Sequence, residues 1–231
     1  MTGTFTELVL AIALFFVAHS VPSIRPLRAR LVEALGENGY IGIYTMVSVS
    51  ATFWIIVAAT QAPYVELWPM SPASLWAPNI LMPISAWFLL AGLTTPNAMS
   101  IRIRAHEFDP AKPGIIAVTR HPILGAIALW GISHMAPNGD VGSVILFGLA
   151  SGFCFFGCVV LDVRRRREFG PEGWAMLAGG TSVIPFAAIL TGRTAMPWRD
   201  AFGWRLAATA AVYLLVISLH EPILKVSPFP L

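Results

Sequence analysis

Long apolar runs constrain this chain more than any other feature. Runs of 18 or more apolar residues are long enough to cross a bilayer core of roughly 30 Å. Of the 231 residues, 56% are hydrophobic and 12% are charged, whereas soluble domains carry about a quarter charged residues. We therefore predict a single-domain, all-α, polytopic membrane helix bundle over residues 1–231. The predicted spans are approximately Thr4–Pro22, Tyr40–Thr60, Trp76–Thr95, Pro122–Ala136, Val141–Leu161 and Gly203–His220, with a short re-entrant or interfacial segment at Ser182–Leu190.

The basic residues are distributed very unevenly between the predicted loops. Fourteen of the 15 Lys and Arg residues fall in Val21–Gly39, Pro96–Arg120 and Asp162–Arg205. With six crossings these three stretches lie on one side, and the positive-inside rule makes that side cytoplasmic. The net charge of +3 follows from the same rule. The expected partner is the lipid bilayer, and no nucleic-acid partner is expected.

The stretch Thr119–Asn138 holds the most informative polar residues. It opens with the step Arg120-His121-Pro122 and continues as a short apolar helix. Proline is favoured in the first helical turn, because its missing N–H has no partner there. His134 lies near the far end of this helix, where an ionisable side chain in an apolar span usually faces the protein interior.

Four of the five histidines lie in or beside predicted spans, namely His19, His121, His134 and His220, whereas His106 lies in a polar loop. Within a bilayer a histidine is a candidate ligand or relay, and its alternative role is a satisfied interhelical hydrogen bond. His121 and His134 are 13 positions apart at about 100° per residue, so they point to different helix faces.

Trp130 and Gly131 share the helix face of His134, four and three residues before it. A glycine beside a histidine leaves room for a flat, bulky ligand, and it also permits tight helix packing. Both interpretations remain open from the sequence.

Most common cofactor motifs are missing from the spans. The sequence contains no His-x-x-x-His, Cys-x-x-Cys or paired carboxylates in a span, and no Gly-x-Gly-x-x-Gly or P-loop. The two cysteines, Cys154 and Cys158, share one helix face and are expected to act as small apolar residues. Membrane histidines without thiolate or carboxylate partners suit a b-type haem held by two imidazoles from different helices.

Four blocks of the sequence resemble the NnrU family: AHSVPSIRPLR at Ala18–Arg28, TRHPILGAIALWGISHMAPNGD at Thr119–Asp140, TSVIPFAAILTGR at Thr181–Arg193 and LHEPILKVSP at Leu219–Pro228. The resemblance implies a multi-pass protein of the bacterial inner membrane, linked to nitrite and nitric oxide reduction during denitrification. It implies components of those reductases as possible partners. The plant relative of the family is the plastid zeta-carotene isomerase, a membrane haem b enzyme.

The resemblance also implies ligands for the iron. The axial histidines of the isomerase match His19 and His134, and His220 is the alternative partner of His134. Arg120 is then predicted to pair with the haem propionates, since Arg binds carboxylates bidentately. His121 is left for contact with the propionates or for hydrogen bonding. Gly131 stands where the isomerase has a cysteine, so the resemblance implies haem binding more directly than carotene isomerisation. If the protein is an enzyme, it is expected to be a haem-dependent isomerase or redox enzyme.

Two other classes of function stay open. The Arg-His-Pro step, the stretch Arg166–Gly170 and Trp174 resemble the isoprenylcysteine and phospholipid methyltransferases, which bind S-adenosylmethionine through such segments. Ile123 departs from the aromatic residue typical of that group. The third class is a cofactor-free scaffold for a reductase complex.

Overall fold

The chain folds into helices joined by short irregular segments. The computed structural model describes residues 3–229, apart from the side chain of Ser23, and no β-strand occurs among them. The helices are α1 (Phe5–Ser20), α2 (Arg25–Gln61), α3 (Pro72–Thr94), α4 (Ile115–Val118), α5 (Pro122–Met135), α6 (Val141–Ala178), α7 (Ala187–Leu190), α8 (Trp198–Ala201) and α9 (Gly203–Leu224).

Four segments are long and apolar enough to cross a membrane: Arg25–Gln61, Pro72–Thr94, Val141–Ala178 and Trp198–Leu224. Two shorter apolar helices, α1 and α5, occupy the positions of the first and fourth predicted spans. The predicted class, an all-α polytopic membrane protein, is therefore confirmed. The described chain divides into two compact units, and the single membrane domain stays a prediction.

The first unit comprises the chain up to Pro69 together with Asn138–Leu146. Helices α1 and α2 pack together in it, and the hydroxyl of Thr4 caps α1 by accepting a hydrogen bond from the backbone of Glu7. Gly36 interrupts α2 with a φ of +72°, a conformation that glycine adopts without steric cost. The residues before this break form a separate basic helical segment.

The second unit comprises Met70–Pro137 and the chain from Phe147 onward. Its central contact is between α3 and α5. A Cβ atom at Gly92 of α3 would lie 2.8 Å from Ile123, so glycine is what permits this approach. The indole of Trp87 donates a hydrogen bond to the carbonyl of Ala201 at 2.8 Å and stacks on Phe202.

Helix α6 is longer than predicted. It runs through the arginines after Asp162 and is interrupted only at Gly170, where φ is +69°. Arginine is a good helix former, so a basic cluster marks the membrane boundary without ending the helix. The predicted end at Leu161 is therefore wrong.

The segment Ser182–Leu190 is mostly irregular, with α7 as its helical part. The backbone N–H of Arg120 donates to the carbonyl of Ser182 at 2.7 Å, and the N–H of Phe186 donates to the carbonyl of Val118 at 2.8 Å. These bonds fix the segment against the last residue of α4 and the residues that follow it. Its re-entrant or interfacial placement stays a prediction.

Candidate functional site

His134, in the last turn of α5, has an imidazole held in a defined orientation. Its Nδ1 lies 2.9 Å from the carbonyl oxygen of Trp130, one turn earlier. A carbonyl can only accept, so this contact assigns the proton of the neutral imidazole to Nδ1 and the lone pair to Nε2. The hydroxyl of Ser133 lies 3.2 Å from the same nitrogen and itself donates to the Trp130 carbonyl.

Aromatic rings surround this imidazole in the second unit. The ring centroids of Trp130 and Phe147 lie 5.6 and 5.5 Å from that of His134, and the two aromatic rings meet edge to face. The half-buried histidine thus sits in a largely apolar environment. Such a shell restricts the access of water to the ring nitrogens.

Helix α6 fills the space into which a side chain at Gly131 would point. A Cβ atom there would overlap the Ser151 hydroxyl and lie 2.6 Å from the carbonyl oxygen of Phe147, both on α6. The Ser151 hydroxyl also donates to the backbone of Ala128 on α5. Gly131 therefore permits close packing of α5 on α6 within the second unit, and its predicted role in cofactor contact stays a prediction.

His19, in the last turn of α1, repeats the geometry of His134 in the first unit. Its Nδ1 lies 2.8 Å from the carbonyl oxygen of Phe15, one turn earlier. This again assigns the proton to Nδ1, and the hydroxyl of Ser48 on α2 then donates to Nε2 at 3.1 Å. The Phe15 and Tyr44 rings lie 3.9 and 6.0 Å from the imidazole.

His220, near the end of α9 in the second unit, also directs Nδ1 to a backbone carbonyl, that of Val226, at 2.9 Å. The bond joins the last turns of α9 to the tail that follows. His220 therefore presents the same tautomer as His134 and remains its alternative partner as a ligand.

His121 is built into a buried polar network that the sequence did not predict. It is 1% exposed, its Nε2 lies 3.0 Å from a carboxylate oxygen of Asp162, and its Nδ1 lies 2.8 Å from the hydroxyl of Ser100. Because the carboxylate only accepts, Nε2 donates to it and Ser100 donates to Nδ1. Both ring nitrogens are thus used inside the second unit, in agreement with a hydrogen-bonding role for His121. Its predicted contact with haem propionates stays a prediction.

Ser100, His121 and Asp162 are the residue types of a hydrolytic triad, but their surroundings do not suit hydrolysis. Ser100 is 2% exposed, and its backbone N–H donates to the side-chain oxygen of Asn97. A nucleophilic serine needs substrate access and free donors for an oxyanion. This arrangement supplies neither.

Arg120 belongs to the same network. Its guanidinium binds the second carboxylate oxygen of Asp162, donates to the hydroxyl of Thr181 at 2.8 Å and lies 4.8 Å above the ring of Trp174. Burial lowers the pKa of this guanidinium while the Asp162 carboxylate opposes the shift, and arginine remains charged. Its donors bind groups within the second unit, and its predicted contact with haem propionates stays a prediction.

The acidic residue of the methyltransferase-like segment is also paired internally. Glu168 binds Arg165, three residues earlier on α6, and Arg102 at 3.1 Å. Arg166 also lies over the Trp174 ring, with its Cζ 5.1 Å from the ring centroid. These contacts join α6 to the loop before α4.

Asp162 is the residue that sequence reasoning missed. It is 8% exposed and accepts from both Arg120 and His121. The signal for it was a lone carboxylate at the end of a long apolar run, because such a group needs a partner when buried. The partners come from a segment 41 residues earlier, which no local pattern reveals.

No group of three or more His, Cys, Asp or Glu side chains able to hold a metal ion occurs among the described residues. Cys154 and Cys158 are buried and form no disulfide.

Taken together, the helices and the membrane histidines define a multi-pass, all-α integral membrane protein with oriented imidazoles in apolar surroundings. Comparison with known families narrows this class. The chain belongs to the NnrU family, whose model, described as NnrU protein, matches residues 7–228.

Two curated relatives are chloroplastic 15-cis-zeta-carotene isomerases. That of Arabidopsis thaliana is 26% identical over 82% of this chain and 52% of its own length. That of Zea mays is 28% identical over 80% of this chain and 50% of its own length. The chain thus spans about half the length of these relatives. No solved structure matches it significantly.

Proposed function

We propose that this membrane protein of the NnrU family binds one b-type haem, which His134 and His19 would hold. The observation that carries the proposal is the shared geometry of the two imidazoles. Each directs Nδ1 to the carbonyl four residues earlier on its own helix, at 2.9 and 2.8 Å. Histidines that ligate metals typically donate their other ring nitrogen in this way, which fixes the tautomer and the ring orientation.

The donor set fits this cofactor. Neutral imidazoles in apolar surroundings ligate haem iron, and the iron needs two axial donors because the macrocycle supplies the others. His121 is unsuited to the role because Asp162 and Ser100 use both of its nitrogens. His220 has the suitable tautomer and is the alternative second ligand.

Haem b would supply one-electron redox chemistry and an iron centre able to exchange an axial ligand for a small molecule. The residues of the chain have the supporting roles. The Trp130 and Phe15 carbonyls hold the proton on each Nδ1, and the rings of Phe147 and Tyr44 limit the access of water. The protein thereby sets the basicity of its ligands and the polarity around them.

The biological role proposed for this cofactor is a redox or isomerase-like function. Similarity to 15-cis-zeta-carotene isomerases supports isomerisation of a polyene as one form of it. The sequence resemblance supports the other, a link to nitrite and nitric oxide reduction in the bacterial inner membrane with the basic loops in the cytoplasm. Reductase components that co-purify with the protein would support the second form.

A histidine variant panel tests the proposal. The full-length protein, expressed with haem precursor and purified in detergent, is expected to contain about one haem per chain. His134→Ala is expected to lose it, and His134→Gly to regain haem when imidazole is added. His106→Ala is the matched control, because this exposed loop histidine lies outside the α-helices and pairs with Glu107 at 3.6 Å. Equal haem content in His134→Ala and His106→Ala would reject His134 as a ligand.

The same preparations separate the alternative functions. A methyltransferase should bind S-adenosylmethionine and lose that binding in Glu168→Gln, whereas a scaffold should bind neither compound. Binding of S-adenosylmethionine by a colourless protein would replace the haem proposal.

A further inference from the structure

Three arginine side chains, Arg120, Arg166 and Arg193, converge near Trp174 in the second unit. The Cζ atoms of Arg120 and Arg166 lie 4.8 and 5.1 Å from the centroid of the Trp174 ring. Arg193 donates at 2.9 Å to the backbone carbonyl of Thr181, to which Arg120 also donates at 3.4 Å. One ring and one carbonyl oxygen thus bring three positive charges together in an arginine cluster.

The arginine cluster carries more positive than negative charge. Among the described residues, its one ion pair is that of Arg120 with Asp162. Arg166 makes no hydrogen bond or ion pair with any residue that the structure describes. Burial lowers the pKa of the Arg120 guanidinium, Asp162 raises it, and the charges of Arg166 and Arg193 lower it further. The repulsion between like charges is relieved by a bound anion, and two of the three guanidiniums have no anionic partner in the chain.

Exposed apolar side chains lead along α6 to this cluster. Phe155 and Val159 precede Arg166 by 11 and 7 positions, about three and two helical turns, so the three residues share one face of α6. Phe155 and Val159 are 54% and 59% exposed, and α6 is long and apolar enough to cross a membrane. The exposed Arg166 follows this apolar stripe. A lipid chain packed along the stripe would therefore have its headgroup beside Arg166.

We propose that the arginine cluster binds the phosphate of an anionic phospholipid, whose acyl chain packs along Phe155 and Val159. Guanidinium groups bind phosphate oxygens bidentately, and tryptophan is favoured at the level of the lipid headgroups. Basic pockets beside membrane helices bind anionic headgroups in this way. A free phosphate has the same charge but gains nothing from the apolar stripe. This site does not depend on haem binding.

The test is native mass spectrometry of the full-length protein in detergent, titrated with phosphatidylglycerol or with phosphatidylcholine of the same acyl chains. We expect phosphatidylglycerol to bind more tightly, because its headgroup carries a net negative charge. Arg166→Gln is expected to weaken its binding about fivefold, the usual effect of one arginine near an anionic lipid surface. Arg167→Gln is the matched control, because it removes the same charge from the next residue of α6, which lies outside the cluster. Its affinity should equal that of the wild type, since salt screens more distant charges.

Three results would overturn the proposal. Equal losses of affinity in Arg166→Gln and Arg167→Gln would show only a general attraction to the basic surface. Equal affinities of the wild type for the two lipids would exclude recognition of the headgroup charge. Glycerol 1-phosphate, which has no acyl chain, should compete poorly at constant ionic strength, and competition as strong as that of phosphatidylglycerol would assign the cluster to a free anion.

A second variant keeps the test decisive if Arg166→Gln fails to fold. Arg193→Gln removes another positive charge of the cluster and is expected to weaken the binding of phosphatidylglycerol to a similar extent. An affinity equal to that of Arg167→Gln would overturn the proposal.

Discussion

The carbonyl oxygen of Trp130 lies 2.9 Å from Nδ1 of His134. Trp130 has two roles in the second unit, and this bond within one turn of α5 is the first of them. The Trp130 backbone fixes the tautomer of the proposed ligand, while its side chain lines an apolar cavity between α3, α5 and α9.

The second axial ligand can be assigned with paired variants. We expect His19→Ala to lose the six-coordinate haem spectrum, because His19 shares the ligand geometry of His134 and matches the family's ligand position. His220→Ala is expected to keep it, since its Nδ1 bond to Val226 connects only α9 and the tail. Absorption and electron paramagnetic resonance spectra of the two variants provide the measurement. The opposite pattern would assign His220 as the ligand and His19 as a structural residue.

Ser48→Ala tests the role of Nε2 in His19. The Ser48 hydroxyl donates to this nitrogen at 3.1 Å, and one lone pair cannot serve both the hydroxyl and an iron ion. We therefore expect the variant to keep its haem content, while the haem-free protein loses about 1 kcal/mol of stability, the usual worth of a hydrogen bond. Haem-to-protein ratios and thermal unfolding in detergent measure the two effects. A large loss of haem in Ser48→Ala would contradict the assignment.

Asp162→Asn should destabilise the second unit strongly. The carboxylate is the shared acceptor of buried Arg120 and His121, and removal of one charge from a buried pair typically costs about 3–5 kcal/mol. Thermal unfolding in detergent measures the change. Asp109→Asn is the matched control, because this exposed side chain accepts a bond from the Ala111 backbone that asparagine can also accept. Equal melting temperatures would show that the network has no structural role.

Gly131→Ala tests the close packing of α5 on α6. The added Cβ would lie 2.6 Å from the Phe147 carbonyl oxygen, and overpacking of this kind costs about 1–3 kcal/mol. Gly148→Ala serves as the control, because a Cβ there meets nothing within 4 Å and alanine favours the helix. We expect a lower melting temperature for the first variant and an unchanged or higher one for the second. Equal stability of both would contradict the packing role of Gly131.

The sequence predicted the all-α membrane class because the length of an apolar run and the residues at its ends act locally. The starts of α5 and α6 fall at Pro122 and Val141 as predicted, since a proline and a Pro-Asn-Gly-Asp turn mark them. The predicted end of α6 at Leu161 was wrong, because the arginines that mark a membrane boundary also favour helix. Only the positive φ of Gly170 interrupts the helix.

The site was predicted less completely because its network joins distant segments. Residue type marked His121 and Arg120 as unusual, but their acceptor, Asp162, lies about 40 residues further along the chain. Gly131 illustrates the same limit. A glycine beside a histidine is compatible with a bound ligand or with a closely packed helix. The sequence does not reveal that Ser151 of α6 lies against Gly131.

Haem binding is tested most directly by the absorption spectrum of the purified full-length protein, oxidised and then reduced with dithionite, together with a pyridine haemochrome assay. The proposal predicts a sharp Soret band, split visible bands on reduction and about one haem b per chain. A preparation that stays colourless when haem is supplied during expression and again after purification would contradict it.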